Sequence, residues 1–133
     1  MSPQDMDDEQ RRAAGDRVRR EVLGDEHVDR ATAAITPLTR DFQDFIARVA
    51  WGDVWSRPGL DRATRSCLTI ALLATLGHWD ELRMHLRAAI RNGVTEEQIG
   101  EVLLHTAVYA GVPVANHAFG IAREVFADPE PGR

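Results

Sequence analysis

Apolar residues recur along the chain at three- and four-residue intervals, the period of a helix that packs by one face, and no segment alternates with the period of two that a half-buried strand needs. The pattern predicts an all-α protein. From about Gln4 to Leu23 the apolar positions are sparse (Ala13, Ala14, Val18, Val22, Leu23), so this helix reads as exposed or subunit-bridging, closed at Gly24. Asp25 is placed to cap a short helix through about Ala34. Thr36-Pro37 then opens a helix whose apolar positions, Leu38, Phe42, Phe45, Ile46, Val49 and Ala50, are spaced for facing a core.

Ser56-Arg57-Pro58-Gly59 marks a turn. Asp61 caps the next helix, about Arg62 to Leu76, which is apolar nearly all round in its later turns and therefore reads as buried and central. The segment from His78 ends at Asn92-Gly93, where glycine accepts the left-handed backbone that closes a helix. Thr95-Glu96-Glu97-Gln98 has the form of a capping box, starting a helix that carries Ile99, Val102, Leu103, Thr106 and Ala107 and stops before Gly111. Pro113 starts the last helix, with Ala115, Ala118, Phe119, Ala122, Val125 and Phe126 along it; residues 128–133 are expected to fray. Short loops between these elements imply mostly antiparallel neighbours in a multi-helix bundle.

With 133 residues, 44% of them hydrophobic, the chain has material for one core and is expected to form a single domain over residues 1–133. The formal charge of −5 argues against a nucleic-acid partner, and no apolar run approaches a membrane span or a signal-peptide core. All 16 basic residues are arginine. Without a lysine amine, Schiff-base chemistry, with or without pyridoxal phosphate, is excluded. The lone Cys67 permits neither an intrachain disulfide nor a Cys-x-x-Cys pair, which fits the cytoplasm.

Chemistry and packing compete for one helix, His78 to Gly93. Glu81 and His85 stand one turn apart on one side, so a carboxylate can orient an imidazole; the plainer alternative is a surface or interface pair worth a few tenths of a kcal/mol. Arg65 lies at the edge of the hydrophobic run that follows it, and its charge requires solvent, a salt bridge to Asp80 or Glu81, or an anionic ligand. Trp51, Trp55 and Arg57 gather around the Ser56–Gly59 turn, as core packing or as a dry wall whose guanidinium grips a carboxylate. His105 and Tyr109 share a helix face, and Asn116 follows the next break; such groups satisfy loose backbone at a helix corner or donate into a pocket. His27 and His117 read as surface residues. The five histidines show no metal-binding spacing, so no metal is expected.

Taken together, Trp51-Gly52-Asp53-x-Trp55, Arg57-Pro58-Gly59-Leu60, Thr64-Arg65-Ser66, Glu81-Leu82-x-x-His85, Asn92-Gly93-Val94-Thr95 and Tyr109-x-Gly111-x-Pro113-x-x-Asn116 closely resemble the 4-carboxymuconolactone decarboxylase family. The resemblance runs from Arg19-Arg20-Glu21-Val22-Leu23-Gly24 to about Phe126, and its first two motifs are the specific ones. The portion around Asn92-Gly93-Val94-Thr95 recurs across the wider alkylhydroperoxidase-D-like superfamily. In that superfamily's peroxidase branch a Cys-x-x-Cys pair is followed, after three intervening residues, by a histidine. Those positions fall here on His78, Glu81 and His85, so that route to thiol chemistry is absent.

The resemblance implies an oligomeric all-helical protein, a homo-hexamer or trimer, with the N-terminal helix (residues 1–24) at a subunit interface. It also implies cofactor-free decarboxylation of 4-carboxymuconolactone to the β-ketoadipate enol-lactone, a step of protocatechuate degradation. On this reading His85 donates a proton or polarises the oxyanion, Glu81 sets its tautomer and favours its protonated form, and Arg65 and Arg57 bind carboxylates. Trp51 and Trp55 exclude water, and Tyr109 is a further donor. The alternatives are a decarboxylase or isomerase of another carboxylated lactone, a peroxidase-like relative acting through Cys67, and a non-catalytic oligomeric binding module.

Overall fold

Helices account for every regular element among the described residues, 2–128, of the computed structural model. A single 3-10 turn, Pro3–Asp5, precedes α1 (Asp8–Leu23), α2 (Asp25–Ala33) and α3 (Arg40–Phe45). α3 runs directly into a π-helix, Ile46–Trp55, and α4 (Arg62–Leu76), α5 (Trp79–Arg91), α6 (Glu96–Ala110) and α7 (Val112–Ala127) follow. The contacts divide into two compact units, one ending at Asp61 and the other beginning at Arg62.

In the first unit α1 packs along the π-helix. Asp7 and Gln10 form a capping box that starts α1 later than the apolar pattern suggests: the Asp7 carboxylate accepts from the Gln10 amide while the Gln10 side chain accepts from that of Asp7. Sparse as they are, Ala14, Val18, Val22 and Leu23 are all buried, so this helix is a core element of its own unit. Asp25 does not cap α2; Gly24 holds that position, and Asp25 sits in the first turn, ion-paired with Arg20 at 3.3 Å.

The largest departure from the periodicity lies at residues 36–55. Thr36-Pro37 opens a turn rather than a helix, closed by the Thr36 amide donating to the Thr39 hydroxyl at 3.0 Å. Helix begins only at Arg40 and widens into the π form at Ile46. Leu38, Phe42 and Phe45, spaced for a core, are exposed. A five-residue hydrogen-bonded turn rotates the face that a 3.6-residue period would bury, so the π-helix presents Trp51 and Gly52 to the interior instead.

The second unit is built around one apolar cluster: Ile70 from α4, Leu82 and Leu86 from α5, Ile99 and Leu103 from α6, Ile121 and Val125 from α7. Each fully buried leucine there contributes on the order of 2 kcal/mol through removal from water. α5 ends at Asn92, with Gly93 at φ 94°, and α6 opens on the Thr95–Gln98 capping box. α4 is not buried all round. Ser66, Ile70 and Ala74 form its inner face, whereas Leu68, Leu72 and Leu76 stand 48%, 60% and 65% exposed. Composition alone could not distinguish an enclosed helix from one with a second apolar face. At the C-terminal end Asp128 pairs with Arg87 at 3.3 Å, and the rest of the tail expected to fray lies outside the described residues.

Candidate active site

α5 places His85 among Leu82, Leu86, Ala88 and Ala89, and the imidazole is only 9% exposed. Among the described residues the buried polar side chains are Ser66, His85 and Thr106, and of these only the His85 ring is an ionisable type. The Thr106 hydroxyl donates to the Val102 carbonyl at 2.9 Å, and the Ser66 hydroxyl accepts from the Asn92 side-chain amide at 3.1 Å. Burying an ionisable ring costs stability, so its persistence inside α5 marks a candidate functional group.

Glu81 lies one turn earlier but at the surface, and among the described residues it makes no hydrogen bond or ion pair. The same holds for Asp80. The salt bridge from Arg65 to either carboxylate is therefore not formed. Arg65 occupies the first turn of α4, partly buried, next to Ser66. The Asn92–Ser66 hydrogen bond ties the end of α5 to that turn and so fixes the backbone from which Arg65 projects. Sequence spacing gave no hint of this contact, because 26 residues separate its partners.

In the first unit the π-helix brings Trp51 and Trp55 together, ring centroids 5.2 Å apart and tilted by 31°. Trp51 is buried and Trp55 partly so. Arg57 follows the π-helix, with its guanidinium 3.8 Å from Asp53 and half exposed. Ser56 donates back to the Gly52 carbonyl at 2.6 Å, which locks the turn after the tryptophans.

The remaining residues singled out by pattern are spread over α6 and α7. His105 and Tyr109 contact each other, centroids 5.0 Å apart, but Tyr109 is 80% exposed. His117, read as a plain surface residue, stacks on Trp79 at 4.2 Å and 15°, joining α7 to α5. His117 is exposed, as read, whereas His27 is partly buried, and burial together with Arg19 and Arg30 holds its pKa below the usual histidine value. Cys67 is a partly buried free thiol. Among the described residues no group of three His, Cys, Asp or Glu side chains is placed to hold a metal ion.

An all-helical chain with one buried imidazole on a helix closed by Asn-Gly, and an arginine at the head of the neighbouring helix, defines the class. The chain belongs to the carboxymuconolactone decarboxylase family, whose pattern matches residues 40–124 and so includes every residue discussed from the π-helix to Tyr109. A 4-carboxymuconolactone decarboxylase from Acinetobacter baylyi is 55% identical over 123 residues, 92% of each chain. The nitrosuccinic acid decarboxylase npaB of Metarhizium robertsii is 47% identical over 114 residues, 86% of this chain and 80% of its own. A 4-carboxymuconolactone decarboxylase sequence from Pseudomonas putida is 50% identical over 48 residues, 36% of this chain and all of that one.

Proposed function

We propose that this chain is a carboxy-lyase that converts 4-carboxymuconolactone to the β-ketoadipate enol-lactone and carbon dioxide. The observation that carries the reading is the buried imidazole of His85 in a chain 55% identical, over nearly its whole length, to a relative bearing that activity in its name. The substrate's departing carboxylate is vinylogous to the lactone carbonyl. When the C–C bond breaks, its electron pair flows into that carbonyl as a dienolate, and a proton then adds at carbon. No amine, metal or redox group takes part in that balance.

The protein has two tasks. It holds the retained carboxylate by an arginine fork and leaves the departing one poorly solvated, where loss of its charge is favoured. It also supplies a proton and a donor for the developing oxyanion. His85, set among apolar side chains, is assigned the second task. Arg65 and Arg57 are assigned the carboxylates, Trp51 and Trp55 the exclusion of water, and Tyr109 a supporting hydrogen bond. Glu81, one turn away on the same helix and at the surface, is assigned a supporting role beside His85.

The substrate assignment has one competitor with an observation behind it. The nitrosuccinic acid decarboxylase relative acts, by its name, on another small dicarboxylic acid. Both substrates need one carboxylate held and one released into an electron sink, so the same arginines and imidazole would serve either. Purified protein given each compound separates them: CO₂ release from the lactone alone supports the proposal, and release from nitrosuccinate alone replaces it.

The active form is a homo-oligomer in the cytoplasm. Leu68, Leu72 and Leu76 make an apolar stripe along α4, and Leu104, Val108 and Val112 stand 59%, 74% and 71% exposed. Apolar surface of that extent favours burial against a second copy of the chain. No helix among the described residues is long and apolar enough to cross a membrane, and the single thiol fits a reducing compartment.

A further inference from the structure

A cleft of about 550 Å³ opens in the first unit between α1, the end of α2, α3 and the start of the π-helix. Its size suits a small organic molecule, and arginines 12, 19 and 40 line it together with Gln43 and three carboxylates, Glu9, Asp16 and Asp44. Two of those carboxylates are already committed. Asp44 is ion-paired with both Arg12 and Arg48, and Asp16 with Arg20 at 3.3 Å. Arg19 and Arg40 have no ion-pair partner among the described residues. The wall of the cleft thus holds two uncompensated guanidinium groups against one uncommitted carboxylate.

Arg19 is the informative one. It is half-buried, and its Nε is sealed from solvent without an acceptor. Burial pulls its pKa below the ordinary arginine value; Asp16 offsets this in part and Arg20 adds to it. Its positive charge also depresses His27 nearby. Gln43 meets the same cleft, its side-chain oxygen buried without a donor. A partly desolvated cation facing an open cleft, with a second cation in the same lining, is a setting in which an anion gains more than it would in water.

We propose that this cleft is a binding site for a small aliphatic carboxylate, gripped between Arg19 and Arg40. The planar fork of each guanidinium matches a carboxylate, whereas the uncommitted Glu9 disfavours highly charged anions such as phosphate. The apolar Ala13, Ile35 and Ala47 supply a surface for a short carbon chain. The cleft shares no residue with the decarboxylase reading: its lining lies between residues 9 and 47 and includes none of Trp51, Trp55, Arg57, Arg65 and His85.

The test is an NMR titration of His27 in the full chain, with succinate as probe and the neutral succinamide as control. Bound succinate offsets the field of Arg19, so the pKa of His27 rises in succinate and stays put in succinamide. Arg40→Gln, at an exposed position, and Arg19→Gln each weaken the succinate response at least about tenfold, while Arg65→Ala leaves it intact. If Arg19→Gln fails to fold, Arg40→Gln alone decides. An unchanged His27 in wild type, an equal response to succinamide, or a response lost in Arg65→Ala and kept in Arg40→Gln overturns the proposal. So does a His27 titration that follows protein concentration and ignores succinate, which would put a second copy of the chain in the cleft.

Discussion

Gly15 of α1 and Gly52 of the π-helix cross at backbone contact. A Cβ built on Gly15 would overlap the Ala47 carbonyl oxygen and come within 2.9 Å of the Gly52 nitrogen, and one on Gly52 would run into the Arg11 carbonyl. No flexible side chain is there to yield; the obstacles are backbone atoms of the facing helix. Gly15→Ala or Gly52→Ala must therefore push α1 off the π-helix, at a cost of roughly 2–4 kcal/mol. Thermal denaturation of each variant checks this, with Gly100→Ala as control: nothing lies within 4 Å of a Cβ there, and alanine is the better helix former.

Arg65 differs from lysine in shape more than in charge. If it grips a substrate carboxylate by its fork, Arg65→Lys keeps the ammonium attraction and loses the paired hydrogen bonds, so kcat/KM falls by about 10- to 100-fold. Steady-state kinetics show the loss mainly in KM if Arg65 holds the retained carboxylate, and mainly in kcat if its contact tightens only at the transition state. Unaltered kinetics would remove Arg65 from the site.

Asp44 couples the helices of the first unit through Arg12 and Arg48, and these partners hold its carboxyl below the usual aspartate range. A carboxyl whose folded pKa lies below its unfolded one adds stability that is fully present above the unfolded value. That stability fades as pH falls through the folded pKa. The stability gap between wild type and Asp44→Asn should thus be constant near neutrality and close as the pH drops below about 4, the unfolded aspartate range. Urea denaturation at a series of pH values measures it. A gap that persists unchanged into strong acid would contradict the assignment, as would no gap at neutral pH.

Much of the fold was legible because its signals are local. The Thr95–Gln98 capping box, the stop at Asn92-Gly93 and the Pro113 start involve residues within one turn of each other, and all three occur where spacing put them. The π-helix was not legible. Ile46, Val49 and Ala50 satisfy a 3.6-residue period as well as a wider one, and the choice depends on the close approach to Gly15, about 30 residues away. For the site, spacing put Glu81 and His85 one turn apart and gathered Trp51 with Trp55, but it left a surface pair open for the imidazole, whose burial depends on how α5 packs. The Asn92–Ser66 tie and the Trp79–His117 stack join separate helices, and the cleft around Arg19 joins four elements through charges that composition reads as solvated surface.

The leucine stripe of α4 gives the oligomer a handle. Leu72 sits at its middle, 60% exposed, so a charge there costs the isolated chain little and an assembled interface a great deal. Leu72→Glu is expected to keep its helical circular dichroism while sedimentation velocity shows a smaller species than wild type. Identical sedimentation of the two proteins would place the interface elsewhere.

The central claim is that the imidazole buried in α5 handles the charge released on decarboxylation, and CO₂ release from 4-carboxymuconolactone by purified His85→Ala tests it most directly. With the fold intact, turnover is expected to fall by about 10²- to 10⁴-fold, the range for a lost general acid. Wild-type turnover in that variant would contradict the account.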